Sequence, residues 1–321
     1  MCFGTIDTHQ MPEIFFSKSE WHSLCFISFT KMFIISEGET GMIIDFRLRP
    51  PYKSYLDAIM YRDLIRSKKM SERIGMYQAE SVQKLDLELT LKEMREAGID
   101  KGVVSGRKAN PHVGMVNNAH VQELTERYPD YFIGLAGIDP FGGEDAIREL
   151  DDYVVNGNLK AAVIEPGVLP QPSFADDERF YYLYEYCEKH EIPVMMMIGG
   201  NGGKNINYSM PWQVEHVALD FPGLQIIVAH GGFPWITEMI QVAYHCRNVS
   251  LLPDLFMLNM PGAKQYATAA NYILRDQMLF GSAYPFAPMK EAVECVERLG
   301  MNDEAKRRFF HDNAVRLLKL D

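Results

Sequence analysis

The sequence predicts a single (β/α)₈ barrel, an α/β fold that begins at Met42. From this residue onward, short apolar runs alternate with amphipathic stretches, which is typical of repeated βα units. Eight apolar runs are each followed by a helical pattern, and the runs are almost continuously apolar, as expected for strands buried on both faces. A barrel of this class uses about 250 residues. The 321-residue chain therefore has room for one barrel and an N-terminal extension.

The elements follow in regular order along the chain. The predicted strands are Ile43–Phe46, Lys101–Ser105, Phe132–Ile138, Ala161–Ile164, Pro193–Ile198, Gln225–Ala229, Val249–Leu252 and Met278–Phe280. The predicted helices are Leu87–Ala97, Asn117–Tyr128, Glu144–Val155, Glu178–His190, Trp212–Phe221, Trp235–His245, Ala263–Arg275 and Lys290–Leu299. Residues 47–84 interrupt the alternation and are expected to form a lid over the barrel mouth or a homodimer surface. A last helical pattern, Asp303 to Leu320, is expected to pack across the barrel wall.

Residues 1–41 lack the periodicity of the rest and are predicted to lie outside the fold. The stretch from Trp21 to Ile35 is moderately apolar, but Lys31 interrupts it and it is too short to span a bilayer. It also lacks the basic start and cleavage site of a signal peptide. We expect Met42 to be the translational start of the natural protein; the alternative is a loosely attached extension. Residues 42–321 form the predicted barrel domain.

Composition and charge exclude several classes of function. The chain is 47% hydrophobic and carries a net charge of −11, so its surface should repel phosphate backbones and acidic membranes. Nucleic-acid and membrane partners are therefore not expected. The five cysteines are odd in number and show no CxxC spacing, which argues against a disulfide framework and a zinc knuckle. These features predict a protein of the reducing cytoplasm.

Polar residues follow the predicted strands, where barrel enzymes place their active sites. Arg47 and Arg49 lie two residues apart after the first strand and should share one face. His230 follows the sixth strand and precedes two glycines. Other candidates follow the second, fourth, fifth, sixth, seventh and eighth strands, respectively: Arg107, Glu165, Asn201, Trp235, Asp254 and Tyr284. The alternative for the charged residues is ion pairing with one another at the barrel rim.

Residues 42 to 320 resemble the amidohydrolase-related family, whose members include decarboxylases of aromatic and unsaturated acids. The resemblance rests on four segments. These are Ile43-Ile44-Asp45, Val228-Ala229-His230-Gly231-Gly232, Leu279-Phe280-Gly281-Ser282-Ala283-Tyr284-Pro285 and His311-Asp312-Asn313-Ala314-Val315-Arg316-Leu317-Leu318. The resemblance implies the same barrel and places its metal site at the strand ends.

The metal ligands that the resemblance implies are mostly replaced in this chain. The family has His-x-His after strand one, His after strand five, often a second His after strand six, and Asp after strand eight. The corresponding residues here are Arg47, Arg49, Met197, His230 and Ala283. Guanidinium offers no lone pair, and a neutral thioether is a poor ligand for zinc or manganese. We therefore expect no metal cofactor; the alternative is a single zinc or manganese ion at low occupancy.

The replacements lead to a functional expectation based on charge. Arg47, Arg49 and Arg107 are expected to bind a small anionic substrate, since guanidiniums hold carboxylates bidentately. The additional expected substrate contacts are Asn201, Trp235 and Tyr284. His230 or Asp254 would act as acid or base, with Glu165 assisting. The favoured prediction is a metal-independent hydrolase that acts on a carboxylate-bearing lactone or ester. The alternatives are a decarboxylase of a small organic acid and a non-catalytic anion-binding or regulatory barrel.

Overall fold

The structure is a computed structural model that describes residues 41–200 and 202–320, so the predicted N-terminal extension lies outside it except for Gly41. Seven parallel strands form one curled sheet in chain order. Each strand pairs with the next along the chain, as expected when every crossover carries a helix. The strands are β1 Ile43–Asp45, β2 Ile99–Ser105, β3 Phe132–Gly137, β4 Ala162–Ile164, β5 Val194–Met197, β6 Ile226–Ala229 and β7 Val249–Leu252.

The predicted eighth strand closes the barrel, although it is too irregular to count as a strand. The amide of Leu279 donates to the carbonyl of Leu251 at 2.9 Å, which attaches this segment to β7. On the other side, the amide of Phe46 donates to the carbonyl of Phe280 at 2.8 Å, which attaches it to the end of β1. The (β/α)₈ barrel predicted from the sequence is thus confirmed, with its last strand reduced to a short bonded segment.

Helices surround the sheet and follow the predicted pattern closely. They are α1 Ile59–Arg62, α2 Leu64–Arg73, α3 Glu80–Lys84, α4 Leu87–Glu96, α5 Asn118–Arg127, α6 Glu144–Leu150, α7 Tyr181–Lys189, α8 Pro211–Asp220, α9 Ile236–His245, α10 Ala263–Asn271, α11 Met289–Glu297, α12 Asp303–Arg307 and α13 Asn313–Leu318. A π-helical turn, Asp151–Val155, extends α6, and a second, Arg308–Asp312, joins α12 to α13. Over residues 41–200 and 202–320, the structure has no helix that is both long and apolar enough to cross a membrane.

Successive side chains along each strand point to opposite faces of the sheet, and this divides the core into two parts. In β5, Met195 and Met197 belong to the barrel interior, whereas Val194 and Met196 belong to the layer between sheet and helices. The last helix was expected on the barrel wall, and this expectation is wrong for α13. Its buried residues Ala314, Leu317 and Leu318 join the interior cluster.

Helix α13 closes the end of the barrel at which the strands begin. Asn313 holds it there, because its side-chain amide donates to the carbonyls of Arg275 and Met278 at 2.9 and 2.8 Å, at the start of the eighth segment. Helix α13 lies here because the inward-facing apolar side chains at this end of the barrel need a cover that excludes water. The opposite end of the barrel remains free to form a site.

The excursion after β1 covers part of the barrel mouth. It contains α1, α2 and α3, and the amide of Ile59 donates to the carbonyl of Val113 at 3.1 Å, which ties it to the loop after β2. Helix α2 contributes three residues to the cavity at the mouth. This placement agrees with the predicted lid. The predicted homodimer surface stays a prediction.

Candidate active site

A cavity of about 210 Å³ lies at the ends of the strands. All five positions that correspond to the family's metal ligands line it, although they come from four separate parts of the chain. Its polar and charged lining consists of Arg47, Arg49, Arg66, Ser67, Arg107, Glu165 and His230, and its other lining residues are Ile59, Met60, Met70, Val113, Val168, Met197, Gly202, Leu255, Phe256, Ala283 and Phe286. The cavity therefore joins a cationic region to an apolar one.

Arg47 lies at the centre of the cationic region. Its side chain is only 6% exposed, and its Nη2 lies 3.4 Å from the Sδ of Met197. Its Nε lies 3.7 Å from Oδ2 of Asp254, close enough for an ion pair but too far for a hydrogen bond. Burial lowers the pKa of Arg47, and the negative charge of Asp254 opposes that shift. The guanidinium is thus held inside the protein with one buried counter-ion.

Arg49 shares the cavity with Arg47, as their spacing predicted. Its Nε donates to the carbonyl of Tyr284 at 3.4 Å, and its guanidinium lies 5.5 Å from the ring centre of Phe286. Burial, and then the neighbouring guanidiniums of Arg47 and Arg107, lower the pKa of Arg49 to about 9. Arg49 is still protonated at neutral pH, and an incoming anion would relieve the repulsion among these cations.

Buried Asp45 fixes the backbone that carries Arg47. Its Oδ1 accepts hydrogen bonds from the amides of Arg47 and Ser282, both at 2.9 Å. Its Oδ2 accepts from the hydroxyl of Ser282. Burial raises the pKa of Asp45, and these hydrogen bonds counteract the shift. The ends of β1 and of the eighth segment are therefore joined directly beneath the cavity.

Gly281 provides the space that Arg47 needs. A Cβ atom at this position would lie 2.8 Å from Cβ of Arg47 and 3.0 Å from Cδ1 of Leu252. We expect Gly281→Ala to lower the free energy of unfolding by about 1–3 kcal/mol through overpacking and to weaken anion binding by displacing Arg47. Urea denaturation and calorimetric titration with benzoate would measure both effects. In the full 321-residue chain, Gly41→Ala is the matched control, because no atom lies within 4 Å of its added Cβ. Equal stability and affinity in both variants would contradict the prediction.

Arg107 and Glu165 form an ion pair in the wall of the cavity. The Nη2 and Nε of Arg107 both donate to Oε2 of Glu165, at 2.7 and 3.1 Å. Burial alone would raise the pKa of Glu165, but Arg107 and Arg47 outweigh it and leave this pKa below its ordinary value. Glu165 is consequently a carboxylate at neutral pH, and it is placed to orient Arg107 rather than to donate a proton.

His230 and Asp254 form a second pair, deeper in the barrel mouth. Nδ1 of His230 lies 3.1 Å from Oδ1 and 2.9 Å from Oδ2 of Asp254. The carboxylate is fully buried, whereas the His230 side chain is 21% exposed and lines the cavity. With Nδ1 facing the carboxylate, Nε2 is the ring nitrogen left for a ligand. Asp254 does not line the cavity, so the structure places it behind His230, where it can orient the imidazole, and not where the predicted acid or base would meet a ligand.

The backbone at three strand ends adopts the left-handed conformation that non-glycine residues rarely take. His230 has φ of 66°, Asp254 has φ of 42° and Ala283 has φ of 60°. Such residues cost about 1–3 kcal/mol each and cluster at functional sites. All three lie in or directly behind the cavity, so part of the backbone strain of the described residues is found at this end of the barrel.

Three predicted substrate contacts are not placed at the cavity. The turn at Ala283 directs Ala283 into the cavity and Tyr284 away from it. Tyr284 is fully buried, with its hydroxyl 2.7 Å from Oγ of Ser81 and 3.2 Å from Oγ1 of Thr90, so it cannot reach a ligand there. Trp235 precedes α9 and is absent from the cavity lining. Asn201 lies outside the described residues.

Several cavity residues were missed from the sequence. Arg66, Ser67 and Met70 come from α2, which was predicted only as part of a lid or a homodimer surface. Leu255 and Phe256 follow Asp254 in a 3₁₀ turn, and the ring of Phe256 stacks on that of Phe233, with centres 4.3 Å apart. The helical spacing of Arg66 and Met70 places them on one face of α2. However, no pattern in the sequence showed which element that face meets.

The donor set at the cavity does not fit a divalent metal ion. Of the five corresponding positions, only His230 offers a ligand that zinc or manganese favours. The guanidinium of Arg47 contacts Met197 and lies near Asp254, so a positive charge already occupies this region. Across the part of the chain that the structure describes, no cluster of three or more histidine, cysteine, aspartate or glutamate side chains could hold a metal.

We therefore expect purified protein to contain no stoichiometric metal. Elemental analysis by plasma mass spectrometry should find zinc and manganese far below one ion per chain. Overnight treatment with EDTA should leave the melting temperature unchanged, because no bound metal is removed. Removal of a metal that stabilises the folded state would instead lower the melting temperature. One equivalent of zinc or manganese that survives dialysis, with a melting temperature that falls after chelation, would contradict this expectation.

Comparisons with known proteins agree with this architecture. An uncharacterised TIM-barrel protein from Bordetella bronchiseptica is 38% identical, superposes with a TM-score of 0.84, and the match covers 87% of this chain and 98% of that one. A 2,6-dihydroxybenzoate decarboxylase from Rhizobium is 16% identical with a TM-score of 0.64, over 88% and 99% of the two chains. The 5-carboxyvanillate decarboxylase LigW from Sphingomonas paucimobilis is 15% identical with a TM-score of 0.60, over 87% and 99%. The two decarboxylases show the fold alone.

No curated protein matches the sequence significantly. A family model described as amidohydrolase does match, and it covers residues 44–320, which is nearly the whole described barrel. This match agrees with the strand-end segments that first suggested the family. The chain belongs to the amidohydrolase 2 family.

Proposed function

We propose that this protein is an enzyme that decarboxylates a small organic acid without a metal ion, with His230 as its acid–base group. The observation that carries the proposal is the pairing of Nδ1 of His230 with the buried carboxylate of Asp254. An imidazole oriented in this way can hold a proton on Nε2, and the neighbouring carboxylate stabilises the protonated ring. The same cavity contains guanidiniums that can bind an anion.

The chemistry can be assigned to the residues of the cavity. As the bond between the substrate carbon and its carboxylate breaks, the electron pair moves into a conjugated oxygen, and carbon dioxide leaves. The guanidiniums of Arg47 and Arg49 stabilise the charge that develops on that oxygen. Protonated His230 then delivers its Nε2 proton to the carbon, so that the carboxylate and one proton yield carbon dioxide and the decarboxylated product. Solvent returns the proton to His230.

This scheme sets a requirement on the leaving carboxylate. A guanidinium bound to it would stabilise the starting acid more than the transition state, in which the carboxylate loses its charge. The leaving carboxylate should therefore face the apolar part of the cavity, near Leu255 and Phe256, while another oxygen of the substrate contacts the arginines. Suitable substrates are acids in which a ketone oxygen is conjugated to the breaking bond. Acids with an enolate or phenolate oxygen also fit when His230 protonates the carboxylate-bearing carbon before the bond breaks, because this turns the oxygen into a carbonyl oxygen that can accept the electron pair.

Structural neighbours support decarboxylation by analogy. The names of two of them specify decarboxylation of 2,6-dihydroxybenzoate and 5-carboxyvanillate, which are aromatic acids. Hydrolysis of a lactone or ester is the second candidate, favoured by the same histidine–aspartate pair, which could take a proton from water. A small anionic substrate is proposed in both cases. Cytoplasmic location and a homodimer stay predictions.

One experiment separates these activities. Hydroxybenzoates and conjugated unsaturated acids would be incubated with the enzyme, with release of carbon dioxide followed by a coupled assay. Lactones and aryl esters that bear a carboxylate would be followed by a pH-stat assay. Release of carbon dioxide that His230→Asn abolishes would support the proposal, and acid production alone would instead support hydrolysis. Acids that bind but yield neither product would indicate a non-catalytic anion-binding barrel.

A further inference from the structure

A second cavity adjoins the cavity at the strand ends. Its volume is about 340 Å³, and three residues, Met70, Leu255 and Phe256, line both cavities. The rest of its lining comes from the end of α2 and from the loops that follow β5, β6 and β7. The two cavities therefore meet at the three shared residues, on the side of the first cavity that lies away from Arg47 and Arg107 in the list of its apolar lining.

The second cavity is apolar. Besides the three shared residues, its lining contains five apolar residues, Ile74, Ile206, Phe233, Pro234 and Met260. Arg73 is its one charged lining residue among those that the structure describes. The side chain of Ile206 is 53% exposed, so a ligand that covers it removes apolar surface from water. The second cavity therefore suits an uncharged, apolar group.

Phe256 connects this cavity to the proposed acid–base group. Its ring centre lies 5.8 Å from that of His230, with the two ring planes at 80°. The same ring stacks on Phe233, with centres 4.3 Å apart and planes at 16°. His230 lines only the first cavity, Phe256 lines both, and Phe233 lines only the second. The acid–base group and the second cavity are thus linked through one aromatic side chain.

Gly200 provides the space that the Phe256 ring needs. Its φ is 57°, and a Cβ atom at this position would lie 2.5 Å from Cζ and 2.9 Å from Cε2 of Phe256. Its amide donates to the carbonyl of Phe233 at 2.7 Å. Gly200 itself lines the second cavity. The backbone here therefore holds both aromatic rings in place at the junction of the two cavities.

The two volumes set the size of the ligand. A cavity of about 150 Å³ holds a benzene ring. The first cavity, at about 210 Å³, therefore has room for one ring with short substituents. The second, at about 340 Å³, has room for a further group of at least that size. A ligand that fills both has an anionic core and a bulky apolar substituent.

We propose that the substrate is a monocarboxylic acid whose unsaturated core carries an apolar arm, either a second ring or a branched alkyl group, and that this arm occupies the second cavity. The inference rests on the proposed function and names the class of its substrate. Ile206, Phe233 and Met260 then determine specificity, because they line the second cavity and not the first. They take no part in the acid–base chemistry of His230.

The arm leaves the other substrate contacts of the proposed function unchanged. An oxygen of the core contacts Arg47 and Arg49, and the leaving carboxylate stays in the apolar part of the first cavity. The arm is attached to a different atom of the core and passes Met70, which lies on α2 and lines both cavities. No guanidinium binds the leaving carboxylate in this arrangement. Helix α2 therefore contacts the arm as well as covering the core.

Calorimetric titration with benzoate and with 2-, 3- and 4-phenylbenzoate tests the proposal. Each of these non-reacting acids carries a single carboxylate, which binds the arginines in place of the substrate oxygen, so the acids differ only in the added ring. At least one phenylbenzoate should bind the native protein about tenfold or more tightly than benzoate, because the second ring is removed from water.

Ile206→Asp should remove most of that preference, because a bound arm would strip water from the new carboxylate. Benzoate affinity should stay within about twofold, because salt screens an exposed charge. Ile65→Asp is the matched control, because it places the same charge on another exposed isoleucine that lines neither cavity. The control should keep the preference for the phenylbenzoate.

The possible results separate this inference from the function on which it rests. Benzoate binding with no preference for any phenylbenzoate would overturn the inference alone. An equal loss of preference in both variants would do the same, because it would show a general effect of charge. A preference that only Ile206→Asp removes would support the arm site, and absence of carbon dioxide release would then count against decarboxylation alone. If no acid binds the native protein, the proposed anion site and this inference both fail. Melting temperatures within about 2 °C of the native value would show that both variants fold.

Discussion

Arg47→Met is expected to abolish the binding of small carboxylates and to lower the free energy of unfolding by about 3 kcal/mol, the lower end of the cost of breaking a buried ion pair. Arg47 is only 6% exposed, and its partner Asp254 is completely buried. Without the guanidinium, the carboxylate keeps His230 as its neighbour but loses the fixed positive charge that offsets its burial. Urea denaturation and calorimetric titration with benzoate measure the two effects.

A second substitution separates the ion pair from the anion site. Adding Asp254→Asn to Arg47→Met removes the unpaired charge, so most of the lost stability should return. Anion binding should not return, because it requires the guanidinium itself. Methionine is a suitable replacement, since Arg47 already contacts the sulfur of Met197 in an otherwise apolar setting. A single variant as stable as the native protein, or a double variant that binds benzoate normally, would contradict this account of Arg47.

His230→Asn is expected to lower kcat by about 10²–10⁴-fold, the usual loss when a general acid or base is removed. Asparagine is chosen because it tolerates the left-handed backbone that His230 adopts at φ of 66°. Substrate affinity should change little, because the guanidiniums are untouched. Steady-state kinetics on the best acid from the decarboxylation screen, with titration of a non-reacting analogue, would give kcat and affinity separately.

Asp254→Asn tests whether the two residues act as a unit. Its carboxylate orients His230 without touching the cavity, so its loss should also reduce kcat, by up to about 10⁴-fold. The double variant should then be no slower than the slower single variant, because residues that act together are strongly non-additive. Multiplicative losses in the double variant, or a kcat unchanged by His230→Asn, would show that the pair is not the acid–base group.

Much of the site could be placed from the sequence because barrel topology is regular. Parallel strands bring their carboxyl ends to one mouth, so residues directly after strands converge. Arg47, Arg49, Arg107, Glu165 and His230 were identified in this way, and all of them line the cavity. The replacement of the family's metal ligands is what the resemblance implies, and it stays a prediction.

The sequence could not show which way a side chain turns once a strand has ended. Tyr284 follows a residue at φ of 60° and points into the layer beneath α3 and α4, although its neighbour Ala283 faces the cavity. Asp254 also follows a strand, yet it lies behind His230. Strand alternation ends with the strand, and the loop backbone, fixed by contacts with distant residues, sets the direction afterwards.

The amino-acid sequence by itself determined the barrel, the order of its elements and the cationic residues at the strand ends, because these follow from periodicity and residue chemistry. Only the tertiary structure decided that α13 closes the barrel interior and that Arg66 on α2 lines the site. It also decided that two of the four guanidiniums keep no counter-ion among the described residues. These features depend on contacts between segments that are far apart in the chain. A local pattern of residues does not show which distant segment will pack against it.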